Sequence, residues 1–425
     1  MPRRPAPPVP RRRGDLARRR RERPGGVGAV STLVVTNDFP PRTGGIESFV
    51  HAVARRLPAL GEGDAARVVV HTARQRGDAA VDAALAAEGI VVVRDPSPLL
   101  VPTPGIVRRV QRTVREHGAD RVWFGAAAPL GLMAPALRAA GVARAVATTH
   151  GHEVWWSSLP GSRAALRRIG EGNDTVTYLG DWCRSRVERP LTPAARARMR
   201  RLTPGVDVAT FRPDPVARAR VRAELGLGER PVVVCVSRVV ARKGQDVLVR
   251  ALPEVRRRVP GAALLLVGDG PHRAAVERLA RDLGVEADVV FTGAVPWERA
   301  PGFYAAGDVF CMPTRTRLGG LEPEALGICY LEAAACGLPV VAGNSGGAPD
   351  AVLDGVNGHV VDGRSTEQVA AALVGLLRDG ATAAGFGAAG REWVSRRWGW
   401  EEQARRLTDL LAGTDVPADP GRERG

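Results

Sequence analysis

The sequence predicts an α/β protein of two doubly wound parallel-sheet domains. Three observations carry this prediction. β-Branched runs alternate with amphipathic helical segments through both halves of the chain, the pattern of parallel strands joined by crossover helices. At 425 residues the chain exceeds what one hydrophobic core ordinarily serves. Residues 201–213 (RLTPGVDVATFRP) interrupt the alternation near its middle, and their turn residues read as a connection between two halves.

In the first half, residues 31–37 (STLVVTN) form a buried parallel-type strand. The turn DFPPRTGG follows, then an amphipathic helix over residues 46–57. Gly44 and Gly45 open that helix. They read either as an anion-binding helix start or as a plain flexible loop. RVVVH, GIVVV, RVWF, RAVATT and TVTYL continue the strands. RAVATT runs into His150-Gly151-His152-Glu153, and a histidine at the carboxyl end of such a strand faces the cleft. Backbone groups could equally satisfy His150. Arg108, Arg112 and Arg115 share one helix face, and Arg163, Arg167 and Arg168 follow Trp155, Trp156 and Leu159. Arginine stripes beside aromatic residues suit an anionic membrane surface as well as a solvated helix face.

In the second half, PVVVCVS, ALLLVGDG and DVVFTG are strands followed by helices. Residues 308–347 then give a strand, a polar loop, a helix over 327–335, a second strand and the pair Gly346-Gly347. This unit sets a helix N-terminus at the carboxyl ends of parallel strands, where α/β folds bind anions. Glu324 precedes that helix and Glu332 lies within it. A carboxylate beside a phosphate is repelled, so each is expected to accept hydrogen bonds from hydroxyls, one set on a sugar ring and the other on a ribose. A surface helix with a glutamate against its dipole is the plainer alternative. The chain has 61 lysines and arginines together, and Lys243, in SRVVARKGQD after the strand PVVVCVS, is its one lysine.

The net charge is +16, and half of it sits in residues 1–26, where ten arginines face only Asp15 and Glu22. A Pro/Arg-rich tail of this kind cannot build a core. Nucleic-acid binding, anionic-lipid binding and a mis-assigned start are its three readings. No apolar run reaches the roughly 18–20 residues of a membrane span, and the charged N-terminus lacks the apolar segment of a signal peptide. Cys183, Cys235, Cys311, Cys329 and Cys336 have no metal-like spacing, and are expected as reduced, mostly buried thiols of a cytoplasmic protein. There is no Asp-x-Asp pair to hold a divalent metal. No metal or cofactor is therefore expected, and protein cations take the role of balancing an anionic leaving group.

Glu324 and Glu332, eight residues apart ahead of ACGLPVVAGNSGGAPD, resemble the signature of retaining glycosyltransferases of family 4, which have the GT-B fold. VTNDFPPRTGGIES, VWFGAAAPLGLMA, THGHEVWWSSLPGSR and SRVVARKGQD extend the likeness over about residues 30–411. They closely resemble the actinobacterial GDP-mannose-dependent phosphatidylinositol mannosyltransferases. The resemblance implies an acceptor domain at 29–205, onto which 395–413 cross back, a donor domain at 206–394, and disordered tails at 1–28 and 414–425. It implies that Arg238 and Lys243 meet the donor's diphosphate together with the free N–H groups of Gly327, Ile328 and Cys329. Glu324 would hold the sugar, Glu332 the ribose diol, and the backbone of Gly293, Ala294 and Val295 the guanine. Gly44 and Gly45 would approach the phosphates and the acceptor, Asp38 would lie beside the acceptor, and His150 would border the transferred sugar. Arg238, Lys243, Glu324 and His150 are then the catalytic group. The implied reaction is transfer of α-mannose from GDP-mannose to a phosphoinositide glycolipid at the cytoplasmic membrane face, on an anionic surface and without nucleic acid. A sibling transferase with another nucleotide sugar or another acceptor, such as a glucuronosyl diacylglycerol, is the alternative. A nucleic-acid binder acting through the tail is a remote one.

Overall fold

The computed structural model describes residues 31–42, 44–60 and 67–414. The basic tail expected at 1–28 and residues 415–425 lie outside them.

Two all-parallel sheets make up the protein. The first comprises β1 (Ser31–Thr36), β2 (Arg67–Ala73), β3 (Ile90–Asp95), β4 (Arg121–Phe124), β5 (Arg144–Thr148), β6 (Thr175–Tyr178) and β7 (Arg200–Arg201), ordered β3-β2-β1-β4-β5-β6-β7. The second comprises β8 (Val232–Val236), β9 (Ala263–Val267), β10 (Val289–Gly293), β11 (Val309–Met312), β12 (Val340–Gly343) and β13 (Gly358–Val361), ordered β10-β9-β8-β11-β12-β13. The first six strands of the first sheet follow the same order as the six of the second, and each order reverses beside its first strand. In β1, Leu33 pairs with Val69 of β2 and Val122 of β4. In β8, Val234 pairs with Leu265 of β9 and Phe310 of β11. Ligands of such sheets bind outside the carboxyl ends of the strands at this reversal. Central strands here are covered on both faces, so β9 is buried at every position and reads as an unbroken apolar run.

Two strands escaped the sequence reading. β13 is short and lies at a sheet edge, and β7 is a two-residue pairing at the start of the connection. The helix expected over 46–57 is Gly45–Ala54, followed by a separate turn at Leu57–Leu60.

The chain crosses back to the first domain at Gly399. Trp398 packs in the core of the second domain. The Trp400–Ala412 helix then lays Ala404, Leu407, Leu410 and Leu411 against Val34, Phe49, Trp123 and Val146 of the first, an apolar stripe at helical spacing. The outgoing connection runs alongside: Val206 N donates to Trp398 O at 2.6 Å, and Thr203 N to Gln403 Oε1 at 3.2 Å. The domains also meet on the far side, where Trp182 N donates to Asp350 Oδ2 at 3.2 Å. All five cysteines are free and buried.

Candidate active site

Both sheets point the carboxyl ends of their strands into one interdomain cleft. It holds a cavity of about 710 Å³ and, sharing its wall, a second chamber of about 660 Å³. After β8 the chain lines the cavity with Arg238, which is exposed, then makes a single 3-10 turn, Ala241–Lys243. Lys243 is only 8% exposed, and its Nζ lies 2.8 Å from Glu324 Oε2. Burial works against the ammonium charge, but the Glu324 carboxylate outweighs it, so the Lys243 pKa stands above its ordinary value. Arg242 is 3.7 Å from the same carboxylate. Two residues read separately from sequence, one for phosphate and one for sugar, are thus ion-pair partners.

Glu324 sits between β11 and the Ile328–Ala335 helix, on a loop fixed by groups that sequence reasoning missed. Its N–H donates to Ser345 Oγ at 3.2 Å, and its carbonyl accepts from Gly347 N at 2.8 Å. Ser345 Oγ is in turn 2.9 Å from Thr316 Oγ1. Gly346 has φ 56°, and a Cβ there would collide with the Glu324 carbonyl. The glycine pair after β12 therefore serves the Glu324 backbone. The pair itself was the available signal.

Gly327 caps the next helix with φ 83°, and a Cβ on it would stand 2.5 Å from the Tyr330 ring. Only glycine combines this left-handed conformation with that contact. Gly327, Ile328 and Cys329 line the cavity, and the first N–H groups of a helix have no intrahelical partner. One turn further, Glu332 lines both chambers. The phenol of Tyr304 donates to Glu332 Oε2 at 2.6 Å. Burial pushes the Glu332 carboxyl above its ordinary pKa, and the phenol pulls it back down. Ala294 and Val295 form the wall beside the exposed Trp297.

From the first domain, Gly45 and His150 reach the same cavity. His150 Nε2 lies 2.5 Å from the Gly125 carbonyl, so this nitrogen is assigned the proton and Nδ1 is left as an acceptor. Burial pushes the His150 pKa down to about 4, so the ring is neutral at pH 7. Both sequence readings of His150 hold together: a backbone group satisfies it and it faces the cleft. Gly44 lines only the second chamber. The carboxylate of Glu47 packs against Gly44, so this helix start already faces an anion from its own first turn. Asp38 lines neither chamber. It lies in the fields of Glu47 and His152, and burial, seconded by Glu47, raises its pKa. Among the described residues, no three His, Cys, Asp or Glu side chains cluster as metal ligands.

Two Rossmann-type sheets that meet over a cavity lined by a cationic loop, an open helix start and two carboxylates define a glycosyltransferase of the GT-B class. Residues 43–210 match the family model "Glycosyltransferase Family 4", and residues 217–393 match "Glycosyl transferases group 1". A GDP-mannose-dependent α-(1-6)-phosphatidylinositol monomannoside mannosyltransferase of Mycolicibacterium smegmatis is 51% identical over 90% of this chain and 98% of its own. A counterpart from Corynebacterium glutamicum, named for a monoacylated form of the acceptor, is 43% identical over 89% of this chain and 97% of its own. Among solved structures, HepE of Anabaena in complex with UDP superposes with a TM-score of 0.72 at 21% identity, covering 90% of this chain and all of that one; this likeness shows the fold. The chain belongs to the family 4 glycosyltransferases, in the group of GDP-mannose-dependent phosphatidylinositol monomannoside mannosyltransferases.

Proposed function

We propose that the protein transfers mannose from GDP-mannose, with retention of configuration, to a phosphatidylinositol monomannoside, as a peripheral protein on the cytoplasmic face of the membrane. The observation that carries this reading is the Lys243–Glu324 pair, 2.8 Å apart at the reversal point of the second sheet, in a chain half identical to transferases named for that reaction. The bond from mannose C1 to the β-phosphate oxygen breaks, and a bond from C1 to the acceptor oxygen forms on the same face. The acceptor's proton leaves with the GDP phosphate. Lys243, Arg238 and the N–H groups at Gly327, Ile328 and Cys329 balance the charge that grows on the diphosphate. Glu324 holds sugar hydroxyls, and Glu332 holds the ribose diol. Nδ1 of the neutral His150 accepts from a sugar hydroxyl. No protein nucleophile is required.

With these cations in place, the donor binds without a metal. GDP-mannose will raise the melting temperature equally in excess chelator and in magnesium, and UDP-glucose or UDP-N-acetylglucosamine will raise it less. A shift that vanishes in chelator, or a larger shift with a UDP sugar, contradicts the reading.

Among the described residues no single helix is long and apolar enough to cross a membrane. Docking is assigned to the Pro160–Gly172 helix and the turn before it. Trp155 and Leu159 are 44% and 66% exposed there, and Arg163, Arg167 and Arg168 are exposed beside them. Each arginine near an anionic surface is worth about 1 kcal/mol, less for Arg167, which pairs with Glu171 at 3.0 Å. Changing the three arginines to glutamine will weaken binding to anionic vesicles and spare activity on a short-chain soluble acceptor. Unchanged vesicle binding returns these arginines to an ordinary solvated face.

A further inference from the structure

Tyr304 entered no sequence argument, because a tyrosine within the apolar stretch APGFYAA reads as core. Its ring is indeed core. It is fully buried, edge-on to Phe211 at 5.8 Å and tilted on Phe310 at 5.7 Å. Its hydroxyl nevertheless reaches the cavity wall and ends on Glu332, 28 residues along the chain, at 2.6 Å. Burial, and after it the charge of Glu332, raise the phenol's pKa well above its ordinary value, so the phenol keeps its proton and is the donor. One carboxylate oxygen of Glu332 is therefore committed to a rigid ring. That fixes the plane of the carboxylate and leaves its remaining acceptor capacity for hydroxyl donors in the cavity. The bond also favours the ionised carboxylate, the form that accepts from both hydroxyls of a diol.

We propose that Tyr304 is a positioning residue that holds Glu332 for the ribose diol and so sets the preference of the site for nucleotides that carry one. This rests on the reading that the cavity takes a nucleoside diphosphate sugar.

The test compares two nucleotides, GDP and 2′,3′-dideoxy-GDP, by titration calorimetry on the whole protein and on Tyr304→Phe. The variant removes one oxygen and keeps the ring between Phe211 and Phe310. Wild-type protein is expected to prefer GDP by about tenfold or more, the worth of a hydrogen bond to a charged group. In Tyr304→Phe the preference falls to about two- to threefold, because GDP weakens while the dideoxy nucleotide holds its affinity to within about twofold. The loss for GDP deepens as pH falls, since burial raises the Glu332 pKa and the phenol that lowered it is gone. Equal binding of both nucleotides by the wild type overturns the ribose reading of Glu332, and this proposal with it. A wild-type preference for GDP that Tyr304→Phe keeps, with both nucleotides weakened alike or neither, leaves Glu332 on the ribose and overturns the role of Tyr304. Glu332→Gln supplies a second background should Tyr304→Phe fold poorly. There the phenol holds the amide oxygen, the charge is gone, and the GDP preference falls severalfold; a wild-type ratio in that variant counts against the proposal.

Discussion

Lys243→Ala will lose at least about a hundredfold in turnover, the range seen when one preorganised donor to a developing anion is removed. The ammonium lies in a buried ion pair at the turn after β8, where the proposed function puts the diphosphate. Its loss has two consequences. The leaving-group charge keeps only Arg238 and the helix N–H groups. Glu324, 7% exposed, also loses its close counter-ion, and breaking a buried pair costs about 3–5 kcal/mol of stability. The lower end applies, because Arg242 remains 3.7 Å from that carboxylate. Lys243→Arg tests shape instead of charge. A guanidinium is longer, planar and fixed in its fork, so it does not reproduce the point contact of Nζ with Glu324 at 2.8 Å. It will keep the fold and lose at least about tenfold in turnover, about 1.4 kcal/mol. Steady-state transfer by folded variants checks both. A wild-type rate for Lys243→Arg makes the single lysine an accident of composition.

Glu324→Gln will separate sugar from nucleotide, and the ion pair gives the effect a sign. Turnover should fall by about tenfold to a hundredfold, because a charge-assisted bond to a sugar hydroxyl is worth about 1.5–3 kcal/mol. GDP, which lacks the sugar, should bind as tightly as before or more tightly, because Lys243 no longer shares its charge with a carboxylate 2.8 Å away. Calorimetry with GDP, set beside steady-state kinetics, reads the two quantities. A parallel loss of GDP affinity and turnover places Glu324 on the nucleotide and contradicts the division of roles.

Most of the fold was legible in the sequence, because strands covered on both faces must be apolar throughout. β8 and β9 announce themselves as VVVCV and ALLLV. β13, GHVV at a sheet edge, is only partly buried and carries no such pattern. Residues of the site were legible where a loop chemistry is local: Gly327 before its helix, or Arg238 and Lys243 after a strand. Contacts set by topology were not. Lys243 and Glu324 lie far apart in sequence and meet only because β8 and β11 are neighbours at the reversal of the sheet. Ser345 and Gly346 act on the Glu324 backbone from the adjacent strand end. His150 is bonded to Gly125 across neighbouring strands. None of these partnerships has a spacing that sequence could display.

Metal-independent transfer of mannose from GDP-mannose, with protein cations in the cleft balancing the leaving group, can be measured directly. The direct measurement supplies purified protein with GDP-mannose labelled in the sugar and phosphatidylinositol monomannoside in anionic vesicles, in parallel reactions with excess chelator and with magnesium. The expected product is a dimannosylated lipid bearing a new α-linkage, formed at the same rate with chelator as with magnesium, and none forms from UDP-glucose. Activity that disappears in chelator and returns with magnesium, or product formed only from a UDP sugar, would contradict metal-independent transfer from GDP-mannose.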